Sequence, residues 1–288
     1  MKVLVIGGSR YFGRRLVQRL HADGNDVTVL NRGSSRPPDG VRHLVADRDD
    51  GAALRGALRG REFDVVFDQV CYTPVQAETT RRAVAGRVGR YVLTSTVEVY
   101  FPLTGAAPAS IAEGRFDPSA WPVDLAAGTW EYGEGKRQAE AVFSREPDLD
   151  AVILRTAHVL GGGAADFTGR LAHYVTRIRA GEPVVVHERP TPASFIRDAE
   201  MVEVLLWAAG ATVTGPVNAA STGALDVLEL CEAIGVRVGR APRFQTGAEA
   251  SPYSFEGSRP MDTGRAERHG FRFSPVAQWL PDVIDEVG

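Results

Sequence analysis

Short β-branched runs alternate with helix-compatible stretches through the first two-thirds of the chain, and few folds satisfy that order. Lys2–Ile6, Val27–Leu30, Val41–Val45, Val65–Phe67, Tyr91–Thr94 and Val152–Leu154 read as strands. Tyr11–Ala22, Asp50–Leu58, Pro74–Val84 and Tyr132–Arg145 read as the helices between them. Near-continuous apolar strands separated by helices indicate a parallel sheet covered on both faces, the doubly wound α/β class. After Gly161-Gly162-Gly163 the spacing changes and helices dominate, at Phe167–Ala180, Asp198–Ala209 and Asp226–Ile234. A last helix is expected over Pro275–Val287, with Ser274 as N-cap and Pro275 in its first position. This divides the chain into a dinucleotide-binding domain, 1–163, and a smaller, mainly helical substrate-binding lobe, 164–288, with some later segments returning to the first domain. Residues 101–129 hold four prolines and little periodicity, and a loop that long is expected to border the pocket.

Composition narrows the function classes. A chain of 288 residues that is 44% hydrophobic holds enough apolar matter for a large core. The net charge of -3 carries no basic excess, so a nucleic-acid partner is not expected. No apolar run approaches the roughly 20 residues that cross a bilayer, and the first residues lack the order of an export signal. Cys71 and Cys231 lie far apart in unrelated contexts, which fits core or pocket-wall positions in a reducing cytoplasm. The six histidines are scattered, and no spacing indicates a metal.

The first strand runs into Gly7-Gly8-Ser9-Arg10-Tyr11-Phe12-Gly13, which opens the first helix. Glycines there let the backbone turn tightly and approach a pyrophosphate, while the helix N-terminus offers N–H groups and positive dipole. A cofactor of the NAD(P) kind is therefore expected on this loop. NAD specificity normally needs an acidic residue ending the second strand. Here that strand ends in Asn31-Arg32-Gly33-Ser34-Ser35, with Arg10 placed to reach the same ribose position, so NADP is favoured over NAD. Asp47, after the third strand, is the expected contact of the adenine amino group.

Of 33 basic residues only two are lysine, Lys2 and Lys136, so Lys136 stands where the chain's default cation was not used. Tyr132 precedes it by four residues, on the same face of one helix. A free phenol has a pKa near 10, so proton transfer near neutrality needs about 4 kcal/mol of differential stabilisation. A neighbouring ammonium and a cationic nicotinamide supply it. Gly133 and Gly135 weaken that helix by about 2 kcal/mol together, which a close ligand would justify. Thr96 follows the Tyr91–Thr94 strand, at the edge where catalytic groups of parallel sheets gather, and its hydroxyl can bond the oxygen that Tyr132 protonates.

Taken with Ile153-Leu154-Arg155-Thr156-Ala157, Phe195-Ile196-Arg197-Asp198 and Gly270-Phe271…Trp279-Leu280-Pro281, these motifs make the chain resemble an extended or atypical short-chain dehydrogenase/reductase of the NAD-dependent epimerase/dehydratase family. The resemblance covers nearly the whole chain. It implies a Rossmann fold, Thr96 as the hydroxyl member, Tyr132 as acid/base, and Lys136 on the nicotinamide ribose. Thr94, Tyr132 and Lys136 thereby join the cofactor set. It also implies a homodimer through helices Pro74–Val84 and Tyr132–Arg145. Glu98 resembles the proton-abstracting glutamate of 4,6-dehydratases, and the adjacent acid position is apolar Val97. His158 stands where many nucleotide-sugar members have an asparagine on the substrate diphosphate, while Arg197 and Arg259 are available to a phosphate. The expected activity is hydride transfer at a carbinol or ketone carbon of a sugar-like or natural-product substrate. A net ketoreductase leads. An epimerase or dehydratase using Glu98 is the alternative, and a non-catalytic dinucleotide sensor or RNA-binding relative is the alternative of another class.

Overall fold

A computed structural model describes residues 1–101, 103, 109–258 and 260–287. The strands are β1 (Lys2–Ile6), β2 (Asp26–Asn31), β3 (Arg42–Val45), β4 (Phe63–Asp68), β5 (Val88–Thr96), β6 (Ala151–Thr156), β7 (His158–Leu160), β8 (Val184–Val186), β9 (Ala193–Arg197), β10 (Gly215–Ala219), β11 (Ala224–Leu225) and β12 (Phe244–Thr246). The helices are α1 (Tyr11–Ala22), α2 (Gly51–Leu58), α3 (Pro74–Val84), α4 (Tyr132–Ser144), α5 (Arg170–Ala180), α6 (Asp198–Gly210), α7 (Val227–Val238), α8 (Gly264–Arg268) and α9 (Val276–Asp285).

The central sheet has the order β3-β2-β1-β4-β5-β6-β10, and its pairings from β3 to β6 are parallel. It is the doubly wound Rossmann sheet that the alternation demands. Burial on both faces explains the strands' continuous apolar character: Val3–Ile6 and all of Ala151–Thr156 are buried. Because β1 lies between β2 and β4, the strand order reverses there, and such a switch point opens a crevice beyond the carboxyl ends of the strands.

Two compact units divide the chain. The first comprises 1–101, 113–156 and 202–217; the second comprises 102–112, 157–201 and 218–288. The break after Thr156 comes earlier than the expected boundary at 163, because β6 is the last sheet strand before the chain leaves. Residues 202–217 then rejoin the first unit. Leu4, Val66, Leu93 and Ile153 lie in the core of the first unit, and each such side chain contributes about 1.5–3 kcal/mol. The second unit builds its core from Tyr174, Phe195, Leu230, Trp279 and Val283, and pairs its helices with two small sheets, β11-β9-β7 and β12-β8.

Two local expectations are corrected. Ser274 does not cap the last helix: its N–H and hydroxyl both donate to Glu200, and Pro275 takes the cap position in extended conformation. The helix expected from Phe167 starts at Arg170, because Gly169 is left-handed at φ +61° and Asp166 turns the chain by accepting from the Thr168 N–H.

The described part of the long loop wraps α4. Asp124 N–H donates to Gln138, and Arg145 donates to the carbonyls of Ser119 and Trp121. Residues 135–143 of α4 are buried, packed against α3, the sheet and this loop.

Candidate active site

The glycine loop sits at the switch point, where Gly7 N–H continues the ladder to the Leu30 carbonyl at 2.9 Å. Gly8 has φ +71°, and a Cβ there would lie 2.6 Å from Val5 Cγ1. At Gly13 a Cβ would lie 2.1 Å from Gln69 Oε1 and 2.9 Å from the Gly8 Cα, so the loop closes on itself only with glycine. Tyr11 has φ +50°, alone among the described non-glycine residues in that region, and opens α1 under backbone strain. Arg10 precedes it in extended conformation without a side-chain cap bond, and no acidic residue occupies the first turn. The N–H groups and dipole of α1 are thus open to an anion, and the cradle fits a dinucleotide pyrophosphate.

Beyond β2, the Asn31 amide donates to Ser9 Oγ at 2.6 Å and the Ser35 carbonyl at 3.0 Å. Its oxygen accepts from Gly33 N–H at 2.7 Å and faces His43 Nε2 at 2.9 Å. Asn31 therefore builds the turn that presents Arg32 and Ser34 to solvent, close to the glycine loop through Ser9. Asp47 is exposed and accepts from the Asp49 N–H at 3.0 Å.

Beneath this rim lies a pair that sequence reasoning missed. Arg48 donates to both oxygens of Asp68, at 2.7 and 2.9 Å, and to Thr80 at 2.8 Å; Tyr91 donates to Asp68 at 2.6 Å. Burial opposes the charge on Asp68. The field and hydrogen bonds of Arg48, with the Tyr91 hydroxyl, still hold its carboxyl below the usual range.

Tyr132 and Lys136 share the first turns of α4, with Tyr132 50% exposed and Lys136 2% exposed. Lys136 Nζ donates to the carbonyls of Cys71 at 2.8 Å and Thr94 at 2.7 Å, which leaves it one further N–H. Thr94 Oγ1, on the β5 residue whose carbonyl Lys136 holds, is buried and has no partner among the described residues. Burial pushes the Lys136 ammonium below its ordinary pKa. A buried ammonium with a donor to spare and an orphaned hydroxyl on the strand it grips fit a ribose diol. The Tyr132 ring lies 6.3 Å from that of Tyr72.

The two glycines of this helix have a reason other than the expected close ligand. A Cβ at Gly133 would lie 2.9 Å from the Glu98 carbonyl oxygen, and one at Gly135 would lie 2.4 Å from that of Tyr72. Neighbouring backbone, not cofactor, explains them. At the end of β5, Thr96 Oγ1 accepts from the Glu98 N–H at 3.2 Å, so its own O–H stays available to donate. Val97–Tyr100 form a 3₁₀ turn in which Val97 is buried and Glu98 half-buried.

A second unforeseen pair anchors α4 from below. Arg155 on β6 meets Glu140 at 2.7 Å with both side chains fully buried, and Ser95 also donates to Glu140. The guanidinium lies between the rings of Tyr100 and Phe116, 5.1 and 4.8 Å from their centroids. The spacing Lys136…Glu140 was the signal that could have revealed it, since i,i+4 puts both on the face turned to the sheet.

The second unit holds the remaining expected residues. His158 stacks on Phe255, with centroids 4.6 Å apart and planes at 14°, beside Tyr253 and Phe195. Burial and the nearby Arg170 charge hold its imidazole down to about 3, so it is neutral. Arg197 is ion-paired with Glu286 at 3.3 Å and Asp282 at 3.9 Å. Arg259 lies outside the described residues. Among the described residues no group of three or more His, Cys, Asp or Glu is placed to hold a metal, and no helix is long and apolar enough to cross a membrane.

Comparison with known proteins places this geometry. A sequence model described as the NAD dependent epimerase/dehydratase family matches residues 3–220. The chain belongs to that family. Its relatives include the 2'-dehydrokanamycin reductase of Streptomyces kanamyceticus, 31% identical over 65% of this chain and 51% of that one. The dTDP-4-dehydrorhamnose reductase of Streptomyces griseus is 29% identical over 76% of this chain and 70% of that one. This member of the family thus spans only about half the length of the first relative. Among solved structures, the UDP-glucose 4-epimerase of Thermotoga maritima superposes with TM-score 0.79 over 99% of this chain and 98% of that one, at 17% identity. The epimerase/dehydratase fold is therefore kept almost from end to end while the sequence has drifted far.

Proposed function

We propose that the protein is an NAD(P)-dependent ketoreductase acting on a sugar-like or natural-product carbonyl, with NADP as the favoured cofactor. The buried Lys136 ammonium one helical turn behind Tyr132 carries the reading, because nothing in a purely structural helix calls for an unpaired-by-acid lysine at that depth. Bound dinucleotide supplies the hydride. Tyr132 gives its phenolic proton to the carbonyl oxygen, and Thr96 donates a hydrogen bond to the same oxygen as charge develops on it. Lys136 grips the ribose and favours the phenolate that Tyr132 becomes. Gly7, Gly8 and Gly13 let the pyrophosphate meet the start of α1. Arg32 and Ser34 follow a strand that ends without the usual carboxylate, and Arg10 lies in the glycine loop tied to it through Ser9 and Asn31, which favours a 2′-phosphate over a bare diol. The names of the two Streptomyces relatives point to ketones on sugar rings. Free Cys71 and Cys231 accord with a cytoplasmic setting.

Purified protein mixed with NADPH or NADH and either 2'-dehydrokanamycin or dTDP-4-dehydrorhamnose provides the test, read as loss of reduced-nicotinamide absorbance. NADPH is expected to be consumed faster than NADH, and Tyr132→Phe to lower kcat by about 10²–10⁴. Full turnover by Tyr132→Phe would overturn the assignment. The 3₁₀ turn that sets Glu98 two residues after Thr96 favours a second reading, an epimerase or dehydratase that returns its hydride. Tightly held oxidised dinucleotide in the purified protein, with no net consumption, would decide for it.

A further inference from the structure

Arg137 belongs to no expected set, yet it links the two pieces of the site. It is 6% exposed on α4, next to Lys136. Its Nη1 donates to the carbonyls of Val99, at 3.2 Å, and Phe101, which end the 3₁₀ turn that begins at Thr96. Its Nε donates to Glu134 at 2.8 Å. Glu134 lies between Tyr132 and Lys136, and also accepts from Trp121 Nε1 at 3.0 Å and Gln138 at 2.8 Å. The Trp121 ring stands 5.3 Å from the guanidinium carbon. One planar cation thus grips the turn carrying Thr96 and Glu98 with one side and the helix carrying Tyr132 with the other.

The start of α4 needs such a grip. Its N-cap, Glu131, makes no side-chain cap bond, and Gly133 and Gly135 both weaken the helix. Gly133 permits the close approach of the Glu98 carbonyl, which brings the turn against the helix. Proton transfer tolerates little play, since a displacement of about 1 Å can cost 10²-fold in rate.

We propose that Arg137 is a positioning residue: the grip of its Nη1 on the Val99 and Phe101 carbonyls, with Nε on Glu134 and with Trp121 backing them, fixes the Tyr132 phenol against the Thr96 turn. The inference rests on the reading of Tyr132 as acid/base. Only the planar fork of arginine spans two carbonyls and a carboxylate at once, so charge by itself does not replace it.

The test is a pH titration of the Tyr132 phenol in the full chain saturated with NADP⁺, by NMR of ¹³Cζ-labelled tyrosine with Tyr132→Phe giving the assignment. The ionisable groups on the elements around that phenol are Glu131, Glu134, Lys136 and Arg137 on its own helix and cap, Glu98 in the packed turn, and Tyr72 after β4. The wild-type midpoint is expected well below about 10. Arg137→Met and Arg137→Lys are both expected to raise it by about one unit, a tenfold loss of phenolate at neutral pH, with NADP⁺ affinity and Tm little changed for the lysine variant. An Arg137→Lys midpoint equal to the wild type would overturn the proposal, because charge and not geometry would then suffice. Unmoved midpoints in both variants would overturn it equally. A wild-type phenol titrating at its ordinary value would instead sink the Tyr132 reading beneath it. Should Arg137→Met fail to fold, Trp121→Phe removes the indole N–H from Glu134 and keeps the ring; a rise of a few tenths is expected, and no rise overturns the proposal.

Discussion

The floor of the first unit and the aromatic group of the second solve opposite problems. The first buries full charges, in Lys136 and in the pairs Arg48–Asp68 and Glu140–Arg155, and gives each hydrogen-bond partners. The second surrounds His158 with Phe195, Tyr253 and Phe255 and keeps the imidazole neutral. Buried charge is tolerable only when its partners are fixed, so the first region is rigid by construction. Stacked rings are non-directional by comparison, and one can replace another at little cost. Proton handling at a set position calls for the first kind of surface.

Three substitutions can break or sharpen that contrast. The largest effect is expected from Glu140→Ala, which leaves Arg155 buried without its counter-charge. Denaturant unfolding should show a loss of about 3–5 kcal/mol, and a loss under 1 kcal/mol would mean the floor is not held by its charges. Next comes Arg32→Ala at the rim, where the side chain is exposed. NADPH affinity should fall about tenfold with NADH affinity unchanged, as isothermal titration would register, and equal effects on both would withdraw the 2′-phosphate assignment. The smallest is His158→Phe, with a stability change under about 1.5 kcal/mol at neutral pH. Its signature lies in pH. With a folded pKa held to about 3 against 6.5 unfolded, His158 contributes stability that is fully present above 6.5 and is lost as the pH falls toward 3. Thermal melts across that window should flatten in the phenylalanine variant; an unchanged acid slope would show that the ring is not buried neutral.

How much of the site was legible depended on the distance between partners along the chain. The glycine loop is one strand–turn–helix unit, and Tyr132 and Lys136 are one helical turn apart, so local spacing displayed both. Arg48 and Asp68, Glu140 and Arg155, or Arg137 and the Val99 carbonyl are joined by register and packing. No periodicity marks them. Lys136 was conspicuous because the chain otherwise uses arginine, whereas Arg137 was hidden by the same habit. The cap at Ser274 failed for a related reason: a residue with the right local chemistry was claimed by Glu200 on another helix.

By itself the sequence determined the order of strands and helices from β1 to β6, the place of the glycine loop, and the pairing of a phenol with an amine, since each follows from φ preferences and helical repeat within a few residues. Tertiary structure alone decided which arginines are structural, why Gly133 and Gly135 are glycine, and how the Thr96 turn is tied to α4. Those outcomes depend on which distant groups meet where water is excluded, and a buried polar group must take whatever partner the packing brings to it.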